Sequence, residues 1–144
     1  MGILADLLVA STADALLYNE SAETRGSPSP DRFERVEYKH FSGLEFGTLW
    51  ALIDGQKWDV HRYTLRHVTH GDEGESWLEE FPAALVATLA AVDGSRVVGL
   101  AEAWRKTDEL KWVNDGLDEV IANLVRLARM AEREGKGMFL WGSL

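Results

Sequence analysis

An α+β fold, with a small mixed sheet of three or four strands packed by five or six helices, is what this sequence predicts. Three observations lead there. Leu117–Ala131 carries an apolar helical stripe too wide to face one neighbour. A short aromatic run, Gly137–Leu144, follows it almost at once. A second apolar run of strand length, Ile3–Ala10, stands at the other end of the chain. Helices that need a broad apolar partner, together with strands at both termini, point to one sheet covered by helices on at least one face.

Taken in order, Ile3–Ala10 reads as a strand that is apolar on both faces except at Asp6. Ser11-Thr-Ala-Asp14 then has the spacing of a capping box, with Asp in the place of Glu, and predicts a short helix to about Asn19. Ser21–Asp31 is small, polar and interrupted by Pro28 and Pro30, and reads as a loop. Arg35–Phe41 alternates, with Val36, Tyr38 and His40 on one face and Glu37 and Lys39 on the other, as a half-exposed strand does. Ser42-Gly-Leu-Glu45 is a capping box, and Phe41 and Phe46 are spaced as a hydrophobic staple. The helix it opens runs to Asp54, stops at Gly55, and sets Phe46, Leu49, Trp50 and Ile53 on one face.

Val60–Thr69 and Ser76–Phe81, on either side of His70-Gly-Asp-Glu-Gly-Glu75, are read as a hairpin; irregular chain with one helical turn is the alternative. Pro82 is placed as a first helical residue, before an apolar face of Leu85, Val86, Leu89 and Val92 that ends at Asp93-Gly94. Ser95 is expected to cap a further helix bearing Val97, Leu100, Ala101 and Trp104, and Thr107–Leu110 to begin another.

The stripe at Leu117–Ala131 is the strongest signal. Stepping about 100° per residue, Val120, Ile121, Leu124, Ala128 and Ala131 fall within about 60° of Leu117. Val125 and Leu127 flank them, while Glu119, Asn123, Arg126 and Arg133 lie opposite, so the apolar arc covers roughly 160°. Asn114 or Asp115 is expected to cap the first turn, and Gly135 to end the helix in a left-handed conformation. Gly137–Leu144 is then a buried strand.

The 144 residues suit a single domain, 1–144, long enough to bury a core without staples. With no cysteine, disulfides and cysteine-ligated zinc are excluded. The opening decapeptide carries Asp6 and no basic leader, and no run is long enough to span a bilayer, so a cytoplasmic protein is expected. A net charge of −9 argues against nucleic acid and anionic membrane as partners and leaves a basic protein, or a second copy of the chain, as the partner to consider.

Chemistry is thinly represented. His61, His67 and His70 with Asp72 are the residues that could ligate a metal or centre a hydrolase, with Asp59, Glu73 and Glu75 nearby. On a strand, however, His67 and His70 point to opposite faces, and no His-Glu-x-x-His helix occurs, so surface histidines on a hairpin are the simpler reading. No Gly-x-Ser-x-Gly elbow, phosphate loop or dinucleotide fingerprint is present, and Gly94-Ser-Arg-Val-Val-Gly99 has the wrong length. Glu79 and Glu80, adjacent on a strand, would face opposite ways. Glu102, Asp108 and Glu109 read as a solvated face. Arg126, Arg129 and Arg133 read likewise, although they could hold an anion.

Six tryptophans are many for this length. Trp50 and Trp104 fall on core faces, whereas Trp58, Trp77 and Trp112 fall near element ends, where aromatics serve as interface anchors. The functional expectation is a soluble, acidic interaction or inhibitor domain of the bacterial immunity type, without catalysis and without a cofactor. The alternatives are a metal-binding protein or hydrolase built on the three histidines, and a homodimeric structural protein.

Overall fold

The computed structural model describes residues 4–25, 35–39, 41–70, 76–108, 110 and 116–143. Its elements are β1 (Leu4–Ala10), α1 (Thr12–Arg25), β2 (Arg35–Lys39), α2 (Gly43–Asp54), β3 (Arg66–His70), β4 (Ser76–Glu80), α3 (Ala83–Ala90), a 3-10 turn (Gly94–Arg96), α4 (Val97–Arg105), α5 (Leu117–Glu134) and β5 (Gly137–Ser143). The class is α+β, as the sequence indicates. The sheet differs from expectation: it has five strands, in the order β2-β1-β5-β4-β3, and every pairing is antiparallel, so it is not mixed. Strand direction depends on how intervening helices return the chain, which local periodicity does not encode.

The two terminal strands lie together near the middle, with Leu7 opposite Leu140 and Val9 opposite Met138. One face of the pair, formed by Ala5, Leu7, Val9, Met138 and Leu140, joins the main core under α2–α5. The other, with Leu8, Ala10, Phe139 and Trp141, is covered by Ala15 and Tyr18 of α1. Helices therefore cover both faces, which is why both terminal strands read as apolar throughout rather than alternating. The acidic residue buried on this side is satisfied. Asp6 is buried and accepts a hydrogen bond from the Tyr18 hydroxyl, and the Tyr18 ring packs edge-on against Trp141 at 5.9 Å.

α5 carries the predicted stripe without exception: Leu117, Val120, Ile121, Leu124, Val125, Leu127, Ala128 and Ala131 are all buried. Its neighbours are tied down by side chains that reach exposed helix ends. Arg129 donates to the carbonyls of Ala90 (3.0 Å) and Val92 (2.8 Å), at the end of α3. Arg96 donates to the Ile53 carbonyl near the end of α2. The indole N–H of the fully buried Trp104 donates to the Glu45 carbonyl of α2 at 3.0 Å. The two arginines satisfy carbonyls at helix ends that have no intrahelical partner, and the Trp104 bond joins α4 to the first turn of α2.

Several boundaries depart from the sequence reading. α1 runs to Arg25 rather than Asn19, because Ala22, Glu23 and Arg25 are good helix formers and no proline interrupts them; residues 26–34 lie outside the described residues. The strand expected from Val60 begins at Arg66. Upstream, the amide of His61 donates to Asp59 Oδ1 (2.8 Å) and that of Tyr63 to the Asp59 carbonyl (2.8 Å), so Asp59 draws the backbone into a turn. Pro82 is the residue before α3, at φ −56° and ψ 150°, not its first member. Ser95 does not cap α4; its amide is itself capped by Asp93, opening the 3-10 turn. The Leu110 amide donates to the Thr107 carbonyl at 3.2 Å and Leu110 is buried; Glu109 and residues 111–115, on which the expected further helix depends, lie outside the described residues. Gly116, at φ 84°, occupies the position before α5, and Asn114 and Asp115 lie outside the described residues. At the other end Gly135 (φ 65°) stops α5 as expected.

Because Leu124 is fully buried between α5 and the sheet, Leu124→Ala is expected to remove about 2–5 kcal/mol of stability. Equilibrium urea denaturation, followed by tryptophan fluorescence, measures it.

Candidate functional site: a cleft over the first turns of α2

α2 begins as its sequence dictates. The Ser42 amide donates to Glu45 Oε2 at 3.1 Å, and the Ser42 hydroxyl bonds to the same carboxylate, which holds Glu45 against the helix start. Phe41 stacks on Phe46 at 5.6 Å, fixing the angle of entry. The face turned towards the β3–β4 side carries no side chain, because it consists of Gly43 and Gly47, four residues apart and therefore one above the other. Neither glycine is replaceable at no cost. A Cβ on Gly47 would come within 2.2 Å of the Tyr63 carbonyl oxygen and 3.5 Å of Trp58 Nε1. A Cβ on Gly43 would come within 3.0 Å of Glu79 Oε1 and 3.2 Å of Oε2.

The Gly43 end of this face borders a cleft of about 290 Å³ lined by Ser42, Gly43, Leu44, Trp58, Val60, Tyr63, Thr64 and Glu79, while Gly47 lies beneath the Tyr63 carbonyl. Its rim is apolar and open to water: Trp58 is 38 % exposed, Leu44 44 % and Val60 51 %. Half of the exposed large hydrophobic side chains among the described residues thus gather at one opening. The remainder, Leu16, Leu17 and Val98, lie elsewhere.

Glu79 is the charged group lining the cleft. β4 sends Glu79 and Glu80 to opposite faces, as the strand period requires. Glu80 is paired with Arg66 across β3, on the α1 side. Glu79 lies on the α2 side, partly buried, and forms no hydrogen bond or ion pair among the described residues. Burial pushes its carboxyl pKa above the ordinary value. Among the described residues, no basic side chain lines the cleft.

The residues singled out from sequence are distributed as follows. His61 is exposed on the Asp59 turn, and His67 is exposed on β3, opposite Glu79. The backbone of His70 pairs with that of Trp77, and Asp72 lies outside the described residues. Among the described residues, no group of three or more His, Asp or Glu side chains could hold a metal ion. Trp58 stands at the cleft rim. Trp77 is partly buried, with its ring lying across Gly142, and Trp112 lies outside the described residues. Of the arginine row, Arg129 is engaged with the end of α3, while Arg126 and Arg133 are exposed. Glu102 is exposed and paired with Arg105 at 3.1 Å. The cleft itself was not foreseen. Its sequence trace is faint: two glycines four apart immediately after a capping box.

Among the described residues, no single helix is long and apolar enough to cross a membrane. Compared with protein-family models, curated proteins and solved structures, the chain matches none.

The raised carboxyl pKa makes stability pH-dependent with a definite sign. A carboxyl that holds its proton more tightly when folded favours the folded state most at low pH. That advantage is lost as pH rises through the folded-state value. Glu79→Gln does not titrate and is expected to melt at or above the wild-type temperature at pH 7. Its margin should shrink as the pH falls below about 4, where the unfolded carboxyl is also protonated. Thermal melts across that range provide the measurement.

Proposed function

We propose that this chain is an acidic binding domain that recognises a basic protein partner, acting as an interaction or inhibitor module rather than as a catalyst. The observation that carries this reading is the cleft over Gly43 and Gly47. An exposed aromatic and two exposed aliphatic side chains surround a partly buried carboxylate that has no cationic partner among the described residues. Large apolar side chains left together at an opening are favoured where another molecule covers them. Aromatic residues at the centre of such a patch are the usual anchors of binding energy. The net charge of −9 supplies the long-range component, since an acidic surface attracts a basic partner and raises the rate of encounter.

The experiment is affinity capture from the source cell's lysate at near-physiological salt, with wild-type and Trp58→Ala baits compared side by side. The expected result is a protein rich in lysine and arginine that the wild type retains and Trp58→Ala loses by at least tenfold. Trp58 is 38 % exposed and lies at the rim, so its truncation should leave the fold intact, which circular dichroism checks. Equal retention by both baits, or retention of nothing by the wild type, would overturn the proposal.

A further inference from the structure

We infer that the cleft over Gly43 and Gly47 receives one cationic side chain, a lysine or arginine of the basic partner, with Glu79 as its counter-ion and Trp58 as its aromatic wall. The inference rests on the binding-domain reading and narrows it to one chemical group at one place.

The geometry sets the dimensions. Glu79 lies over Gly43 and Trp58 over Gly47. Four residues of helix separate those two positions by roughly 6 Å along the axis of α2. A cation hydrogen-bonded to a carboxylate oxygen sits about 2.8 Å from it. A cation over an indole is attracted when it lies within about 6 Å of the ring centroid. Glu79 and Trp58 line the same cleft, so one ammonium or guanidinium entering it meets both, and about 290 Å³ has room for it and its stem. Gly43 lines the cleft, and a side chain there would press on Glu79, whereas Gly47 is needed beneath it, because its missing side chain lets the Tyr63 carbonyl seat against α2.

The chemistry of the walls agrees. Leu44 and Val60 offer apolar surface to the methylene stem of a lysine or arginine, whose charged head then reaches the polar interior. Glu79 is partly desolvated and has neither hydrogen bond nor ion pair among the described residues, so an incoming cation gains a full partner rather than competing with one. An anion would meet the carboxylate with no lining base to offset it. A neutral apolar side chain would bury the carboxylate further without pairing it, which costs free energy. The Ser42 amide, just before α2, does not meet this need, because it is already bonded to Glu45.

The test uses the intact chain, labelled with nitrogen-15, and titrates it with three blocked tripeptides, Gly-Lys-Gly, Gly-Arg-Gly and Gly-norleucine-Gly, and with putrescine. Saturable shifts of the Trp58 indole N–H and the Gly43 amide are expected with the lysine or arginine peptide. Norleucine, which keeps the apolar stem and lacks the charge, should bind at least tenfold more weakly. Glu79→Gln should lose the same factor while keeping the remainder of its spectrum, and Trp58→Leu should weaken binding several-fold. Norleucine binding as tightly as lysine, or no change on Glu79→Gln, would overturn the inference, as would putrescine binding more tightly than either cationic peptide, which would assign the cleft to a free amine. Failure here is separable from failure of the binding-domain reading. A partner lost by Trp58→Ala but still captured by Glu79→Gln would keep the domain reading and remove the cation from it.

Discussion

The apolar flank of α5 against the β1–β5 pair is the contact on which the remaining structure depends. Eight buried side chains on one helix meet Leu7, Val9, Met138 and Leu140 in a single core. Each large side chain removed from water there contributes about 1.5–3 kcal/mol before entropy is counted. α3 and α4 pack on α5 in turn, and the α3 contact has a polar latch, the Arg129 guanidinium on the carbonyls of Ala90 and Val92. α2 reaches this assembly less directly, through Trp104 and Arg96. The order of attachment matters, because the candidate site sits on α2, at the periphery of the helical layer and away from the main seam.

A helix held in this way can have an incomplete outer face. Phe46, Leu49, Trp50 and Ile53 are buried on the inner side of α2 and anchor it there. Their lack of side chains admits the Tyr63 carbonyl, Trp58 and Glu79 from the chain that follows. The outcome combines features that a purely structural corner would not favour: an aromatic left over a third exposed, two exposed aliphatics, and a carboxyl whose burial raises its pKa. Desolvating a carboxylate without a partner costs stability. The same arrangement is favourable once a cation enters, since the desolvation has already been met in the free protein.

What the sequence by itself determined about this protein lies wherever one local signal had one structural solution. The stripe on Leu117–Ala131, the capping box at Ser42 with its stop at Gly55, Gly135 as the end of α5, and the buried terminal strands were all legible, because helical and strand periods are encoded within a few residues. Boundaries slipped where a side chain competed for backbone groups, as Asp59 does in accepting from the His61 amide, or where good helix formers sat in a stretch read as loop for its small and polar residues, as Ala22, Glu23 and Arg25 do. Only the tertiary structure decided the number and direction of the strands, the covering of the second sheet face by Ala15 and Tyr18, and the meeting of Glu79 with Trp58 above two glycines. Those depend on residues far apart in the chain, such as Leu7 and Leu140 or Tyr18 and Trp141, being carried to one place by elements whose relative orientation no local pattern specifies. Glu79 reads from sequence as one of two unremarked carboxylates on a strand; its character comes from what α2 does not put in front of it.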